Sequence, residues 1–281
     1  MRTHINAVGL PAGKLHRIQN RPERLWPNVV DTNLYTPANT TASATPHTVG
    51  AWVEAIASTS GPVDWLAVWA TATATTGADT SSLIDIGIGG AGSETVVAAS
   101  LPAGFQSADD GLRPFSGMAM FPLTVPKGTR IAVRQRALIA SDTCSVFVET
   151  YFQGLRCGSV VDTYGAVTAS SRGTNMPASD TYVELTAATT QPHQALVMLM
   201  SGGGATTMSN VDPIYTLGAG PAAAETALLT CMVHSSTSEI LKMSSRPVAI
   251  YSGHIPAGTR LAGKQSIGAN YRDMIVLGIR Y

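Results

Sequence analysis

Charged side chains are scarce. Lys, Arg, Asp and Glu make up 13% of the 281 residues and cancel to a formal net charge of zero, against a usual globular share of about 25%. With no global field, the charge balance draws the chain neither to nucleic acid nor to an anionic membrane. The shortage of Lys and Glu, beside abundant Ala, Gly, Thr and Ser, points away from exposed helices toward short strands and tight turns. Cys144, Cys157 and Cys231 are the three cysteines. Their odd number and lack of zinc-ligand spacing read as small buried thiols, not a disulfide framework. No apolar run reaches the roughly 18 residues of a membrane span. The polar, basic start has no apolar core of signal-peptide length, so the expected chain is soluble, made and at least initially kept in a cytoplasm.

Catalytic and cofactor signatures are equally thin. His4, His16, His47, His193, His234 and His254 are scattered, and no metal set assembles from their spacing. No serine sits in G-x-S-x-G, and no cysteine has a local catalytic signature. Asp109-Asp110 reads as a solvated turn, because adjacent carboxylates are not thereby placed across a substrate. Gly87-Ile88-Gly89-Gly90-Ala91-Gly92 formally satisfies G-x-G-x-x-G. It lacks the parallel strand–helix frame of a dinucleotide site, so a bulge or hairpin turn is expected there. The expectation is no enzyme, no cofactor and no metal.

What the chain does have is an internal duplication. Val125-Pro126-Lys127-Gly128-Thr129-Arg130 recurs as Ile255-Pro256-Ala257-Gly258-Thr259-Arg260, and Pro126 to Pro256 is 130 positions. At the same interval Trp52-Val53-Glu54 meets Tyr182-Val183-Glu184, Thr59 meets Thr189, and Gln135 meets Gln265. One residue of slack brings Gly87, Gly89, Glu94 and Thr95 onto Gly218, Gly220, Glu225 and Thr226. Carried to the end, the interval sets Cys144 on Met274 and Tyr151 on Tyr281. Repeats of this kind decide the architecture before any local reading does.

Each copy reads as seven or eight short strands at spacings near ten residues, with turns between. Residues 143–152 alternate cleanly, Cys144, Val146, Val148 and Thr150 on one face. The expected fold is all-β: two tandem antiparallel jelly-roll-like β-sandwiches at 47–153 and 177–281, joined by a connector at 154–176. In each Pro-x-Gly-Thr-Arg turn, proline presets the bend, glycine takes positive φ, and the arginine re-enters a strand. Arg130 and Arg260 are expected to pair with Glu54 and Glu184. Pro126, Gly128, Arg130, Pro256, Gly258 and Arg260 are therefore assigned to structure.

Residues 1–46 are expected to form an extended, unrepeated arm. Pro11, Pro22, Pro27, Pro37 and Pro46 bar a helix or central strand, and residues 1–35 carry five basic and two acidic side chains. A solvated tail is the plainer reading. Arg17, Arg21, Arg24, Leu25 and Trp26 favour an arm that orders against a partner, since aromatic and arginine anchors dominate interfaces.

The run Leu83–Thr95, with Phe121–Arg130 and Ala137–Thr143, resembles a module of uncharacterised virion proteins of tailed bacteriophages. The likeness covers most of the first copy well and the second only weakly. It implies membership of a virus particle and no active site, without fixing the place in the particle. An arm that grips a neighbour and two compact jelly rolls of low charge then lead to a non-enzymatic capsid cement or decoration protein attached by its arm. The implied partners are further copies of itself, as a homotrimer or other homo-oligomer, and the major capsid protein or tail and neck proteins. A tail- or neck-associated receptor- or glycan-binding module is the alternative. It requires exposed loop aromatics, for which Trp26, Tyr35 and Tyr164 are the candidates.

Overall fold

The computed structural model describes residues 28–72, 80–106, 119–152, 160–177, 179–202, 214–232, 246–266 and 272–280. Every regular element among them is a strand, and the fold is all-β. The first copy contains β1 (Asn28–Thr32), β2 (Ala38–Thr41), β3 (Val53–Ile56), β4 (Val63–Ala72), β5 (Thr80–Ile88), β6 (Thr95–Gln106), β7 (Ala119–Val125), β8 (Ile131–Ala137) and β9 (Thr143–Phe152). The second contains β10 (Val160–Tyr164), β11 (Ala166–Val167), β12 (Arg172–Met176), β13 (Val183–Thr186), β14 (His193–Gly202), β15 (Ile214–Ala219), β16 (Thr226–Met232), β17 (Arg246–Ile255), β18 (Leu261–Ser266) and β19 (Arg272–Arg280).

In the first copy β1 and β2 lie end to end along β9, which pairs with β4 and so with β7, while β3, β8, β5 and β6 form the facing sheet. With β1 and β2 counted as one interrupted first strand, each sheet has jelly-roll order, first strand beside last. The second copy repeats this: β10 and β12 lie end to end along β19, followed by β14 and β17, opposite β13, β18, β15 and β16. Even the irregularities recur. The bulge between Glu54 and Ile56 against β8 returns between Glu184 and Thr186 against β18.

These pairings redraw three sequence expectations. Residues 28–46 are not part of an unrepeated arm; they supply the first strand of the first jelly roll. Residues 160–176 are likewise not a connector but the first strand of the second. The two stretches correspond: Asp31 and Thr32 take the same places beside β9 that Asp162 and Thr163 take beside β19. The third concerns the last strand. Trp69 pairs with Phe147, and its counterpart Leu199 pairs with Ile275, so β19 corresponds to β9 two residues short of the 130-residue interval. Val146, not Cys144, is the counterpart of Met274. A two-residue slip leaves every side chain on its face, so alternation alone does not reveal it.

Burial follows the alternation. Cys144, Val146, Val148 and Thr150 are buried, while Ser145, Phe147, Glu149 and Tyr151 are partly exposed. The two cores are filled differently. Val68, Ala70 and Val146 of the first give way to Met198, Met200 and Met274 in the second. Room comes from Val133 becoming Gly263, where a Cβ would meet the sulfurs of Met274 and Met176. Flexible thioethers suit such irregular space.

A buried threonine locks each Pro-x-Gly turn. The Thr59 N–H donates to Thr129 O (2.9 Å), and the Gly128 N–H donates to Thr59 O (2.8 Å). The Thr59 hydroxyl donates to Pro126 O and accepts from the Thr129 N–H at 2.8 and 3.1 Å. Thr189 makes the same four bonds to Pro256, Gly258 and Thr259. Gly128 and Gly258 both sit at φ 80°, which an L side chain resists. We predict that Thr59→Val and Thr189→Val each destabilise the protein by about 1–3 kcal/mol, since each deprives a part-buried N–H, at Thr129 or Thr259, of its hydroxyl acceptor. Urea melts of the singles and the double would show near-additive losses, because the two turns share no partner.

Candidate functional site

The residues assigned from sequence gather into one clamp per copy. Arg130 leaves the Pro-x-Gly turn at the start of β8, and its Nε donates to Glu54 Oε2 on β3 at 2.8 Å. Its Nη1 donates to Glu94 Oε1 (2.8 Å) and to Gly89 O (3.4 Å), on either side of the β5–β6 turn. Arg260 repeats the set with Glu184 (2.8 Å), Glu225 (2.6 Å) and Gly220 O (3.3 Å). Burial is the largest single influence on the Glu94 carboxyl and acts to raise it, but the Arg130 hydrogen bond and charge, with backbone hydrogen bonds, together outweigh it and the net shift is downward. For Glu225 the Arg260 hydrogen bond is the largest cause, again downward. The pairing with Glu94 and Glu225 was not read from the sequence, although both glutamates stood at matched positions. The Gly87–Gly92 stretch runs from the end of β5 into the tight β5–β6 turn, with the Ser93 N–H bonded to Gly90 O at 3.0 Å.

A second matched device sits beside the clamp. A Cβ at Gly87 would come within 2.7 Å of the Trp52 ring, and one at Gly218 within 2.7 Å of Tyr182. The glycines admit the rings, and a cation covers each ring: Arg134 4.4 Å from the Trp52 centroid, Lys264 5.0 Å from that of Tyr182. Clamp and stack occur in both copies, so their role is the fold itself.

The copies differ where they meet. β6 of the first and β10 of the second lie side by side in parallel, with Val161 opposite Ala98, and join the two into one ten-stranded sheet. The Thr163 hydroxyl donates to Ala99 O, and His47 Nδ1 lies 3.0 Å from Ser171 Oγ. On β19, Met274 and Val276 face the second core, whereas Ile275, Leu277 and Ile279 belong to the first. β14 also lies against β6.

Matched positions therefore have unmatched cover. On β6, Val97, Ala98, Leu101 and Pro102 are all buried. Their counterparts on β16 are Leu228, Leu229 and Cys231, half-buried, and Met232, 67% exposed. Val161 on β10 is 4% exposed, but its counterpart Val29 on β1 is 52% exposed. Phe152, opposite Asn28 beside it, is 37% exposed.

The second copy alone carries a polar cluster. Fully buried His193 has its Nε2 2.6 Å from the Tyr164 hydroxyl and 3.8 Å from Asp162 Oδ2. Asp162 in turn meets Arg280 Nε at 2.8 Å. The first copy has Val63, Asn33 and Phe152 in place of His193, Tyr164 and Arg280. Burial pushes the imidazole pKa below its ordinary value, so His193 is neutral, and its complete enclosure leaves no route to a substrate.

Among the sequence candidates, Arg17, Arg21, Arg24, Leu25 and Trp26 lie outside the described residues, as do Asp109, Asp110 and Cys157. Tyr164 is buried, while Tyr35 is 96% exposed in the β1–β2 turn. Cys144 is buried as expected, and burial raises its thiol strongly. Cys231 is only half-buried, its thiol pushed up to about 11. The junction itself went unread. Its signal was there, in Val29-Val30-Asp31-Thr32 recurring as Val160-Val161-Asp162-Thr163.

No protein-family model matches the chain, and no curated protein does. Among solved structures it is similar to PNGF-II, with TM-score 0.44 and 9% identity, covering 88% of this chain and 65% of that one. It thus spans less than two thirds of PNGF-II. It is also similar to the virus major capsid protein STIV MCP, with TM-score 0.37 and 11% identity over 85% and 93% of the two chains. PNGase F, a glycosylasparaginase from Flavobacterium meningosepticum, gives TM-score 0.33 and 8% identity over 89% and 96%.

One buried carboxylate makes the junction sensitive to pH. Asp273, 1% exposed, points to the same side of β19 as Ile275, and the side chain of Asn175, opposite it on β12, is its hydrogen-bonding neighbour. Burial lifts its pKa to about 6, and Arg172, 3.9 Å away, offsets only part of this. The folded protein therefore holds this proton more tightly than the unfolded chain. Its contribution to stability is full below the ordinary value of 3.8 and is lost as pH rises through about 6. We predict that Asp273→Asn raises stability at neutral pH by about 1–3 kcal/mol, the gain vanishing near pH 4. His193 titrates in the opposite sense, so the measurement is the variant-minus-wild-type difference in thermal melts across pH.

Proposed function

We propose that this chain is a non-enzymatic structural protein of a bacteriophage particle, a capsid cement or decoration protein that works by being packed against copies and neighbours. The observation that carries the reading is the unequal cover of matched strands: Leu228, Leu229 and Cys231 are only half-buried, and Met232 is exposed, where their counterparts are buried. Uncovered apolar strips of this kind mark interaction surfaces. The polar groups shared by both copies clamp strands to one another, which suits a load-bearing block. The bacteriophage assignment rests on the sequence resemblance at Leu83–Thr95 and Phe121–Arg130.

In this reading the leading segment with Arg17, Arg21, Arg24, Leu25 and Trp26 anchors the chain on a capsid, neck or tail protein. Because β1 begins at Asn28, the informative truncation removes residues 1–27 and spares the first strand. The truncated protein is expected to keep the wild-type melting profile and to lose attachment to purified particles, measured by co-sedimentation. Undiminished attachment would remove the anchor from the proposal. Absence of the full chain from purified particles by mass spectrometry would remove the particle role itself.

Tyr35 favours one second reading, a receptor- or glycan-binding module of the tail or neck. A ring 96% exposed in a turn offers a stacking face for a sugar. Binding on a glycan array that Tyr35→Ala abolishes would support it, and an array with no signal would dismiss it.

A further inference from the structure

The chain carries, unjoined at its two ends, the same pair of edges that it joins in its middle. β6 and β10 meet side by side; β16 corresponds to β6 and β1 to β10. Among the described residues β16 ends its four-stranded sheet and β1 ends its five-stranded sheet, and no strand pairs with the outer side of either, although the Ser60 hydroxyl donates to Val30 O on β1. Such edges are templates for pairing. The side chains on both ends match the demand. Met232 at 67%, with Leu228, Leu229 and Cys231 half-buried, lines one. Val29 at 52% and Phe152 at 37% line the other. Thr32, exposed, stands where Thr163 donates to Ala99 O inside the chain, and the Thr230 carbonyl takes the place of that acceptor.

We propose that β16 of one copy docks beside β1 of the next in parallel, reproducing between chains the β6–β10 junction within the chain. The occupant of each edge is thus a second copy of this protein, placed head to tail. Because the two contacting surfaces differ, the association is heterologous, and it closes into a ring or runs on as a filament. This rests on the building-block reading above but specifies which edges meet, and it is open to test without any particle.

The experiment uses the full-length chain in analytical ultracentrifugation at micromolar concentration. Wild type is expected to sediment as an oligomer. Val29→Asp and Met232→Asp each alter an exposed side chain and are expected to be monomeric, with wild-type circular dichroism and melting. Mixed one to one, they are expected to give a dimer and nothing larger. The intact β16 edge of the first variant meets the intact β1 edge of the second, and the two altered edges cap the pair. A misfolded variant cannot complement, so the mixture also controls for folding. A monomeric wild type would overturn the proposal. If deleting residues 1–27 then released assembly, the occupant would be the chain's own leading segment and not a second copy. Variants that still assemble would overturn it by placing self-association on another surface. Monomeric variants that fail to complement would overturn the head-to-tail geometry. In these last two cases, finding the chain in purified particles leaves the building-block reading standing.

Discussion

One guanidinium per jelly roll holds together three segments that are far apart in sequence. Arg130 and Arg260 each tie the start of their own strand to a glutamate on one neighbour and to both sides of a hairpin on the other. The inner glutamates, Glu94 and Glu225, keep side-chain exposures of only 3% and 5%, and beside backbone hydrogen bonds each has its arginine as the opposite charge. With that corner fixed, the bulges opposite Ala132 and Ala262 come in register, and the sheet has one way to align. Charge is scarce in this chain, and each of these corners gathers three charged side chains.

The duplication was legible wherever a turn demanded particular residues. Proline, glycine, threonine and arginine recur at a fixed interval because the turn and the clamp tolerate little else. Strand-forming apolar residues carry no such constraint. Val146 and Met274 fill matched places with different volumes, and compensation at Val133 and Gly263 hides the match. The first strands escaped notice for another reason. β1 and β2 are separated by a short turn, whereas β10 and β12 are separated by a longer excursion through β11. No single interval aligns both, and the four shared residues at Val29–Thr32 were too short a run to stand out. The many prolines around them argued for an arm, and the prolines were read correctly as breaks but wrongly as absence of pairing.

The candidate site was less legible because it is defined by a difference between copies. Nothing in a half-buried Leu229 or a buried Ala98 distinguishes them in sequence; what separates them is what lies on top. The polar group at His193 is the same kind of feature. Tyr164, His193 and Arg280 replace Asn33, Val63 and Phe152, and the change converts an apolar and amide-lined corner into an enclosed hydrogen-bonded one. The second jelly roll is accordingly the more specialised of the two, with a core rich in methionine and a face turned into its neighbour.

The order in which the strands can be assembled follows from the pairing of first with last. Asp31 bonds to Thr150 across 119 positions, and Arg280 reaches Asp162 across 118. Such long closures slow folding, because the entropy of the intervening loop is lost before the contact is gained. During synthesis the first sandwich waits for β9 before β1 can seat, and the second waits for β19 before β10 can. Until then Val97, Ala98 and Leu101 on β6 lack the cover of the second copy, and the half-made chain shows on β6 an edge like the one the finished chain shows on β16. Premature pairing between nascent chains on one message is the hazard this arrangement creates, and dilution or a chaperone that shields β6 is what relieves it.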